Sequence, residues 1–349
     1  MKKFVVFTLM LALFASCSSV VVPNYIVDYS DKGREERRLE EERIAAEKAE
    51  KRKARMQGYS DEGESDVSQY IAKKEIKVDR DKCIRIVQIS DFHSAMFGSN
   101  EDTLIQKIKD ASPDLIVLTG DIFDFETKYA RPVEHVRYLI DGIKDIAPFY
   151  YVSGNHEFYA YHEEEFNYII TDRGGIVIEG KALALTVPLG KIILAGLPDP
   201  FIDLSIEERR KAKDNKEKYL ERISALKSET EALQQKMALA GEKVLCTVLL
   251  AHRPEYIDDY KKAGCFDLVL SGHTHGGLWK FGKIIKGVYA PNQGFFPKYA
   301  GGLYEFFDEE KPSALVISRG LSYQKPAIPR IGNNPELVVI DIVPHESRF

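Results

Sequence analysis

The stretch Ser271-Gly272-His273-Thr274-His275-Gly276-Gly277 directly follows the apolar run Leu268-Val269-Leu270. An apolar run of this kind is typical of a buried strand, and in extended backbone residues i and i+2 project to the same side. We therefore expect His273 and His275 to aim two imidazole rings into one small volume, between glycines that permit unusual backbone angles. Because imidazole is a common metal ligand, this stretch predicts a metal site that draws its other ligands from elsewhere in the chain.

The same arrangement, polar side chains directly after an apolar strand, recurs at four other places. Strands are predicted at 84–90, 115–119, 149–153 and 244–250. The polar residues that follow them are Asp91 and His93, Asp121, Asn155 and His156, and His252. Since ligands of open α/β sheets bind beyond the carboxyl ends of the strands, five strand ends are expected to converge on one site. Strands that alternate with helical segments indicate a layered α/β fold.

The composition agrees with a globular enzyme. The 349 residues allow one large domain or two ordinary ones, and 44% apolar and 11% aromatic residues suit a sizeable core. A net charge of -5 gives no reason to expect nucleic-acid binding. Cys83, Cys246 and Cys265 lack the paired spacing of a metal site or a disulfide framework, so they are predicted to be buried thiols.

Residues 1–17 have the pattern of a secretion signal. Lys2 and Lys3 precede the apolar run Phe4–Phe14, which is shorter than the ~20 residues of a transmembrane helix. Leu13-Phe14-Ala15-Ser16-Cys17 resembles a bacterial lipoprotein cleavage box in which Cys17 is lipidated. That resemblance implies a membrane-anchored protein that faces the periplasm or the exterior. Plain secretion, an uncleaved anchor and a cytoplasmic location are the alternatives.

Residues 18–82 are predicted to form a charged stalk or linker. The mixed-charge run 34–55 is typical of a solvated helix or a disordered stalk. The folded domain is expected over 83–349, with a helical insertion at 204–243. Within that insertion, apolar positions alternate at spacings of four and three across 219–240. This seam predicts either an amphipathic helix that packs on its own domain or a helix for self-association.

The polar residues at the strand ends outnumber the ligands of a single ion. Two aspartates, one asparagine and four histidines would instead hold two ions that share a bridging carboxylate. A mixed oxygen and nitrogen set suits Mn, Fe or Zn better than Mg or Ca. Two such ions can clamp a phosphate group and activate a water molecule.

The strand-end motifs, taken in order, resemble those of a known enzyme family. The motifs are Asp91-Phe92-His93, Gly120-Asp121-x-x-Asp124, Gly154-Asn155-His156-Glu157, Ala251-His252 and Gly272-His273-Thr274-His275. They resemble the five ordered motifs of the calcineurin-like metallophosphoesterases, and the resemblance spans roughly 84–343. It implies a four-layer α/β/β/α sandwich with its active site at the carboxyl ends of the strands. It also implies a hydrolase of phosphoric esters that uses two divalent ions, with Mn favoured.

The family resemblance also implies a role for each motif residue. One ion would be held by Asp91, His93, Asp121 and His275, and the other by Asp121, Asn155, His252 and His273. The nucleophile would be a hydroxide that bridges the two ions. His156 would be a catalytic residue that donates a proton to the leaving oxygen or stabilises charge on the phosphoryl group. Glu157 and Asp124 would orient the ligands.

Further stretches resemble a bacterial, membrane-associated subgroup of this family. They are Ser94–Gly98, Leu197-Pro198-Asp199-Pro200, Ala251-His252-Arg253-Pro254-Glu255 and Ser318-Arg319-Gly320. The subgroup includes phosphodiesterases and UDP-2,3-diacylglucosamine pyrophosphatases of lipid A synthesis, which implies a phosphodiester or pyrophosphate substrate that is lipid-linked in some members. Arg319 and Arg330 are candidates for binding a phosphate oxygen, with structural salt bridges as the alternative.

Two further alternatives concern the aromatic residues and the activity itself. Aromatic side chains crowd the motif loops, among them Phe92, Phe97, Phe123, Phe158, Tyr159, Tyr161, Trp279, Phe295 and Phe296. They are expected to pack those loops or, in part, to line an apolar groove for a lipid or a base. A non-catalytic binding module on the same fold is the alternative of another class, but such modules lose ligands and this chain keeps all seven.

Overall fold

The computed structural model describes residues 22–28, 79–124, 133–159, 163–205, 215–280, 287–306, 313–322 and 328–343, together with positions 39, 43, 207, 208, 324 and 325. Six α-helices lie in these ranges: α1 (Asp102–Ala111), α2 (Val133–Ile143), α3 (Asn155–Tyr159), α4 (Glu163–Thr171), α5 (Lys216–Leu239) and α6 (Ile257–Ala263). None of the helices in the described ranges combines the length and the apolar character needed to cross a membrane.

The described strands form two six-stranded sheets and two short hairpins. The strands are β1 (Asn24–Asp28), β2 (Ile84–Ile89), β3 (Leu115–Thr119), β4 (Phe149–Val152), β5 (Ile176–Val177), β6 (Lys181–Val187), β7 (Gly190–Leu197), β8 (Val244–Ala251), β9 (Leu268–Ser271), β10 (Tyr289–Ala290), β11 (Gly294–Phe295), β12 (Gly302–Phe306), β13 (Ser313–Ile317), β14 (Gln324–Lys325), β15 (Ile328–Pro329) and β16 (Val338–Val343). The first sheet has the order β1-β16-β2-β3-β4-β5, and the second has the order β12-β13-β9-β8-β7-β6. The hairpins pair β10 with β11 and β14 with β15.

The two large sheets pack face to face, and helices cover their outer faces. Alternate residues of β2, such as Ile84 and Ile86, join Leu268 and Leu270 of β9 in the core between the sheets. Residues of the opposite parity, such as Val87, pack against the helices α1, α2 and α4. On the far side, α5 and α6 cover the second sheet. Because successive side chains of a strand point to opposite faces of its sheet, each strand contributes to two cores. The predicted α/β/β/α sandwich is confirmed.

Strand direction explains why the predicted ligands meet. In the first sheet β2, β3 and β4 are neighbours and run parallel, and in the second sheet β8 and β9 do the same. The carboxyl ends of parallel strands share one edge of a sheet. A hydrogen bond from the Gln88 amide of β2 to the carbonyl of Ser271 in β9, 2.9 Å long, joins the two edges. Three strand ends of one sheet therefore face two of the other.

The N-terminal boundary of the domain differs from the prediction. Asn24–Asp28 lies inside the predicted 18–82 stalk, but it forms β1 and pairs in parallel with β16 at the edge of the first sheet. The Asn24 amide also donates to the carboxylate of Asp341 at 2.9 Å. The prediction is wrong for this segment, because one short strand next to charged sequence carries too little periodicity to be recognised. The mixed-charge run lies almost wholly outside the described residues.

The predicted helical insertion contains α5, which packs on the second sheet. The side chains of Tyr219, Ile223, Leu226, Thr230 and Met237 are buried, and they follow the predicted seam. They join the core that β7 and β8 form with α6. The apolar seam is therefore covered by its own domain, which corresponds to the first of the two alternatives. Self-association through another face of this helix stays a prediction.

Candidate active site

The predicted metal ligands sit on strained loops directly after the strands. Five of the seven have a positive φ: Asp91 (47°), His93 (48°), Asp121 (52°), His273 (70°) and His275 (47°). A left-handed backbone at a non-glycine residue costs on the order of 1–3 kcal/mol and is concentrated at functional sites. Gly272 allows the His273 loop to approach, because a Cβ there would collide with the side chains of Ser90 and Asp91. The strained backbone conformation at these residues therefore serves to orient their side chains.

Four of the predicted ligands form one compact group. Ligand atoms of Asp91, His93, Asp121 and His275 all lie within 4.8 Å of one another, and all four residues are buried. His93 Nε2 is 3.7 Å from Asp121 Oδ2, and His275 Nε2 is 3.8 Å from Asp91 Oδ1. The rings of His93 and His275 are stacked with their centroids 5.1 Å apart. Two carboxylates and two imidazoles thus surround one small volume.

A second group shares Asp121 with the first. Ligand atoms of Asp121, His252 and His273 also lie within 4.8 Å of one another. His252 Nε2 is 3.2 Å from Asp121 Oδ2, and the rings of His252 and His273 meet at 5.0 Å. Asn155 begins α3 next to this group, where the following backbone N–H, that of His156, donates to Asp121 Oδ1 at 2.9 Å. Asp121 therefore stands where a carboxylate would bridge two ions.

We refer to these seven residues as the ligand cluster, and its chemistry fits divalent metal ions. Three of its members, Asn155, His252 and His273, present buried polar atoms that have no hydrogen-bond partner among the described residues. Buried polar atoms are nearly always hydrogen-bonded, so atoms left in this way beside two carboxylates indicate metal coordination. The mixed oxygen and nitrogen donors suit Mn, Fe or Zn.

The protonation of the cluster follows from burial and from its charges. Burial, with the neighbouring charge of Arg253, holds the pKa of His273 well below its usual range, which keeps the imidazole in the neutral form that binds metals. Burial opposes the charge of His252, but the Asp121 carboxylate raises the pKa of His252 to about 10. Burial likewise opposes ionisation of Asp121, yet His252 and His156 hold its pKa well below its usual range. Burial raises the pKa of Asp91 to about 6.

Residues behind the cluster fix its orientation. The carbonyl of Thr119 accepts a hydrogen bond from His252 Nδ1 at 2.7 Å. Because a carbonyl can only accept, Nδ1 carries the proton and Nε2 faces Asp121. The Ser90 hydroxyl donates to Asp91 Oδ2 at 2.7 Å, and the Asn333 amide donates to the carbonyl of His275 at 2.7 Å.

Glu157 holds the loop that carries Asp121. Its carboxylate accepts from the backbone N–H groups of Asp121 (3.0 Å), Ile122 (2.7 Å), Phe123 (3.1 Å) and Gly154 (2.7 Å). Burial and the neighbouring Asp121 raise the pKa of Glu157 to about 7, although these backbone donors favour its ionised form. Such an arrangement gives Glu157 the orienting position that the resemblance implied.

His156 lies at the edge of the ligand cluster. Its Nε2 is 4.0 Å from Asp121 Oδ2, and its Nδ1 is 3.8 Å from Asp124 Oδ1. The ring meets that of His93 edge-on with centroids 4.3 Å apart. His156 is thus placed beside both the shared carboxylate and a second acidic group, with only 5% of its surface exposed.

The two candidate phosphate-binding arginines differ in position. Arg319 Nη1 donates to Glu336 Oε2 at 2.7 Å, and its backbone N–H donates to the other oxygen of that carboxylate at 2.7 Å. Arg319 therefore makes the structural salt bridge that was its alternative role. Arg330 is buried, and its Nη2 lies 3.3 Å from His275 Nδ1. Of the two, Arg330 directly adjoins the ligand cluster.

Sequence reasoning missed the pairing of Asp199 with Arg253. Both side chains are buried, and Arg253 donates to both oxygens of Asp199, at 2.6 and 3.0 Å. The guanidinium also lies over the ring of Phe201, 4.6 Å from its centroid. Both residues belong to stretches that resemble the bacterial subgroup, but a contact across 54 positions has no local signal. The pair fixes the backbone directly after His252.

The described residues also include a histidine, three cysteines and several aromatic side chains that are not part of the cluster. His135 Nδ1 lies 2.8 Å from the carboxylate of buried Glu101, so it is a satisfied histidine. Cys83, Cys246 and Cys265 are free and buried, as predicted. Cys17, Tyr161, His162 and His345 lie outside the described residues. Of the aromatic residues in the motif loops, Phe92, Phe97, Phe123 and Phe158 are buried, whereas Trp279, Phe295 and Phe296 are exposed.

A two-sheet sandwich whose strand ends gather such a cluster suits a metal-dependent enzyme. The sequence model of the calcineurin-like phosphoesterases matches residues 84–277, more than half of the 349-residue chain. The chain therefore belongs to this family of metallophosphoesterases. The matched range contains all seven residues of the ligand cluster and His156.

The chain is also similar to curated relatives and to a solved structure. Uncharacterized metallophosphoesterases of Helicobacter pylori (strain 26695) and Campylobacter jejuni are 26% and 29% identical over 70% and 75% of this chain. The aligned parts span only 55% and 59% of those two proteins. The NAD nucleotidase of Haemophilus influenzae superposes with a TM-score of 0.43 at 15% identity, covering 68% of this chain and 45% of that protein. The family assignment does not depend on that likeness.

Proposed function

We propose that this protein hydrolyses phosphodiester or pyrophosphate bonds with the help of two divalent metal ions, with Mn favoured. The observation that carries the proposal is the pair of ligand groups that share Asp121. Asp91, His93 and His275 complete one group, and His252 and His273, with Asn155 beside them, complete the other. A carboxylate common to two groups is what a two-ion phosphoesterase requires.

Different residues of the chain would have different roles in the reaction. When bound, the two ions would supply a Lewis acid for the phosphoryl oxygens and lower the pKa of a coordinated water. Asp121 would be a ligand of both ions, and the Glu157 carboxylate holds the Asp121 loop by accepting hydrogen bonds from four backbone N–H groups. His156, near Asp121 and Asp124, donates a proton to the leaving oxygen. Arg330 beside His275 is placed to contact a phosphate oxygen.

The same proposal includes the substrate class and the location of the enzyme. The subgroup resemblance supports a diester or pyrophosphate substrate over a free monoester, and a lipid-linked substrate in particular. The lipoprotein-like box at Cys17 supports a membrane-anchored enzyme that faces the periplasm or the exterior. Hydrolysis of UDP-2,3-diacylglucosamine is the alternative, and it requires a cytoplasmic enzyme. Mass spectrometry of the native N-terminus separates the two: a lipidated Cys17 supports export, and an unmodified Met1 contradicts it.

A phosphodiesterase assay tests the activity. Purified protein with Mn is expected to hydrolyse bis-p-nitrophenyl phosphate with a higher kcat/KM than p-nitrophenyl phosphate. Asp121→Asn and His275→Ala are expected to lose at least about 100-fold in kcat/KM and to bind less Mn. Asp110→Asn, an exposed aspartate of α1, is the matched control and should keep both. Equal rates for Asp121→Asn and the control would contradict the site.

A second assay tests the role of His156. If His156 protonates the leaving oxygen, His156→Ala should slow a diester with an alkoxide leaving group more than one with p-nitrophenolate, which leaves without a proton. A panel of lipid pyrophosphates, nucleotides and cell-wall diesters supplies such substrates. His135→Ala, which removes a histidine bound to Glu101, is the control. Equal slowing of both leaving groups would contradict proton donation.

A non-catalytic binding module is the second class of function. It would bind metal and phosphate without turnover, and such proteins lose ligands. All seven members of the ligand cluster and His156 are present here. The absence of hydrolysis across the whole panel, in protein that contains two ions per chain, would favour this alternative over the enzyme.

A further inference from the structure

Four exposed aromatic side chains lie on the segment that follows the ligand residues His273 and His275. They are Trp279, Tyr289, Phe295 and Phe296, which we call the aromatic rim. Their exposed fractions are 36%, 38%, 73% and 70%, whereas Phe92 and Phe123 in the neighbouring motif loops are buried. Large apolar side chains grouped on a surface mark an interaction site more often than single exposed ones do.

The rim stands on a defined hairpin. Tyr289 of β10 pairs with Phe295 of β11, and their rings meet edge to face at 5.4 Å. The backbone N–H of Phe296 donates to the carbonyl of Val288 at 2.7 Å. At the turn, the Asn292 amide donates to Glu255 at 2.9 Å. The backbone of the hairpin is thus held by hydrogen bonds, whereas its aromatic rings remain largely exposed to solvent.

The hairpin is attached to the loop that carries two of the predicted ligands. The backbone N–H of Val288 donates to the carbonyls of Gly277 and Trp279, at 2.9 and 3.0 Å. Gly277 lies two residues after His275, and its Cα is so close to Gly287 that a Cβ would collide with it. The backbone N–H of Lys280 donates to the carbonyl of Ile331, the residue after Arg330, at 2.8 Å. The hairpin of the rim is therefore held by its backbone against the loop that carries His273 and His275.

The charge of this segment differs from that of the whole chain. Residues 279–298 contain Lys280, Lys283, Lys286 and Lys298 and no aspartate or glutamate, although the chain carries a net charge of -5. Lys298 is exposed, and its ammonium group lies 4.8 Å from the centroid of the Tyr299 ring. Exposed aromatic rings on a stretch of sequence with an excess of lysine suit the interface of a bilayer, where rings enter the headgroup region and ammonium groups meet anionic lipids.

We infer that the aromatic rim docks on an anionic lipid bilayer and turns the ligand cluster toward phosphoesters at the membrane surface. Phe295 and Phe296 enter the headgroup region, and Trp279 lies at its boundary. This contact differs from the proposed N-terminal anchor, because it would orient the ligand cluster rather than tether the chain. It does not depend on the proposed hydrolysis, since a catalytically inactive protein would dock in the same way.

The single tryptophan of the chain makes the inference directly measurable. Trp279 is the only tryptophan among the 349 residues, so its fluorescence reports on the rim even when the N-terminal segment is also bound. With vesicles of equimolar phosphatidylcholine and phosphatidylglycerol, we expect a blue shift and quenching by lipids brominated near the headgroup. With pure phosphatidylcholine both effects should be much smaller. Asp121→Asn should behave as wild type, which separates docking from catalysis.

Variants test which side chains are responsible. Phe295→Ser combined with Phe296→Ser should lower the apparent affinity for lipid, measured by quenching of Trp279, on the order of tenfold or more. Tyr138→Ser combined with Tyr168→Ser, which removes two exposed aromatics of α2 and α4, is the matched control. Circular dichroism and the unfolding midpoint verify that both double variants fold.

Three outcomes would overturn the inference. The first is wild-type Trp279 that is not quenched while the protein sediments with anionic vesicles. The second is a Phe295/Phe296 double variant that is quenched as strongly as the Tyr138/Tyr168 control. The third is a blue shift that depends on protein concentration without lipid, which would assign the rim to contact between two copies of the chain.

Discussion

The ligand cluster and the aromatic rim lie side by side, yet they are built in opposite ways. Members of the cluster are buried and are held by further residues such as Glu157 and Ser90. Five of the seven carry left-handed backbone, against one of the four rim residues, Phe296. The rim residues are exposed, and the hairpin that carries them is attached mainly through the backbone. The fold therefore stabilises the geometry of the cluster, whereas the rim remains available for a contact outside the chain. Substitutions in the two regions should therefore differ greatly in their effects on stability.

The largest effect is expected for Glu157→Ala. The substitution leaves four backbone N–H groups without their acceptor, and an unsatisfied buried donor costs about 1–3 kcal/mol. Water that enters the space recovers part of this, so we expect a loss of about 4 kcal/mol in the free energy of unfolding, measured in urea. Mn affinity should fall about 10–100-fold, because Asp121 is no longer held.

The control for this variant is Glu134→Gln, which changes an exposed glutamate of α2 and should alter neither quantity. Glu157→Gln keeps one acceptor oxygen but aims an amide donor at backbone donors, so it should fall between the two. If Glu157→Ala bound Mn as tightly as the control, the orienting role of Glu157 would be wrong.

Much of the fold could be predicted because the signals are local. The apolar runs before Asp91, Asp121 and His252 are long enough to read as buried strands, and the polar residue that ends each run indicates the edge where ligands gather. The four layers came from the family resemblance, and the two cores confirm them. Which sheet supplies each ligand depends on strand pairing between distant segments, which no local pattern contains.

What could not be predicted is non-local or depends on small energies. β1 is only five residues long, and its pairing with β16 joins opposite ends of the chain. The Asp199–Arg253 pair requires the end of β7 and the end of β8 to be neighbours. For Arg319, the choice between phosphate and Glu336 depends on the distance to a carboxylate 17 positions away. The exposure of the rim likewise depends on how the hairpin folds. The aromatic residues alone are equally compatible with packing inside the motif loops.

The second largest effect is expected for Arg253→Gln, which tests the support of the cluster after His252. The variant leaves the buried carboxylate of Asp199 without its bidentate partner, at an expected cost of about 3 kcal/mol in the free energy of unfolding. Adding Asp199→Asn removes the stranded charge, so the double variant should be less unstable than the sum of the single ones.

Arg222→Gln provides a matched control, because Arg222 binds both oxygens of Asp203 at 2.6 Å but lies nearer the solvent. It should cost about 1 kcal/mol or less. Equal losses for Arg222→Gln and Arg253→Gln, measured by urea unfolding, would show that burial does not determine the strength of these pairs.

An intermediate effect is expected at Gly277, where the two regions join. Gly277 has a φ of 71°, and a Cβ would collide with the backbone of Gly287, so Gly277→Ala strains the loop and pushes the hairpin away. Gly241 has nearly the same φ, 73°, with open space around it. Gly241→Ala should cost only the conformational term of about 1–2 kcal/mol.

We expect Gly277→Ala to cost about 2 kcal/mol more than Gly241→Ala, because overpacking adds to the backbone term. The emission maximum of Trp279 should also shift in the first variant and stay unchanged in the second. Equal destabilisation without a spectral change would mean that the hairpin does not depend on this close approach to the His273–His275 loop.

The smallest effect on stability is expected for Phe295→Ser in the rim. Phe295 is 73% exposed, so the folded state loses little burial when the ring is removed. The remaining contact is the edge-to-face pairing with Tyr289, worth about 0.5–1 kcal/mol at most at an exposed site. The free energy of unfolding in urea should therefore fall by less than about 1 kcal/mol, against about 4 kcal/mol for Glu157→Ala. A loss as large as that of Glu157→Ala would mean that the rim stabilises the fold itself, and its exposure would then need no partner outside the chain.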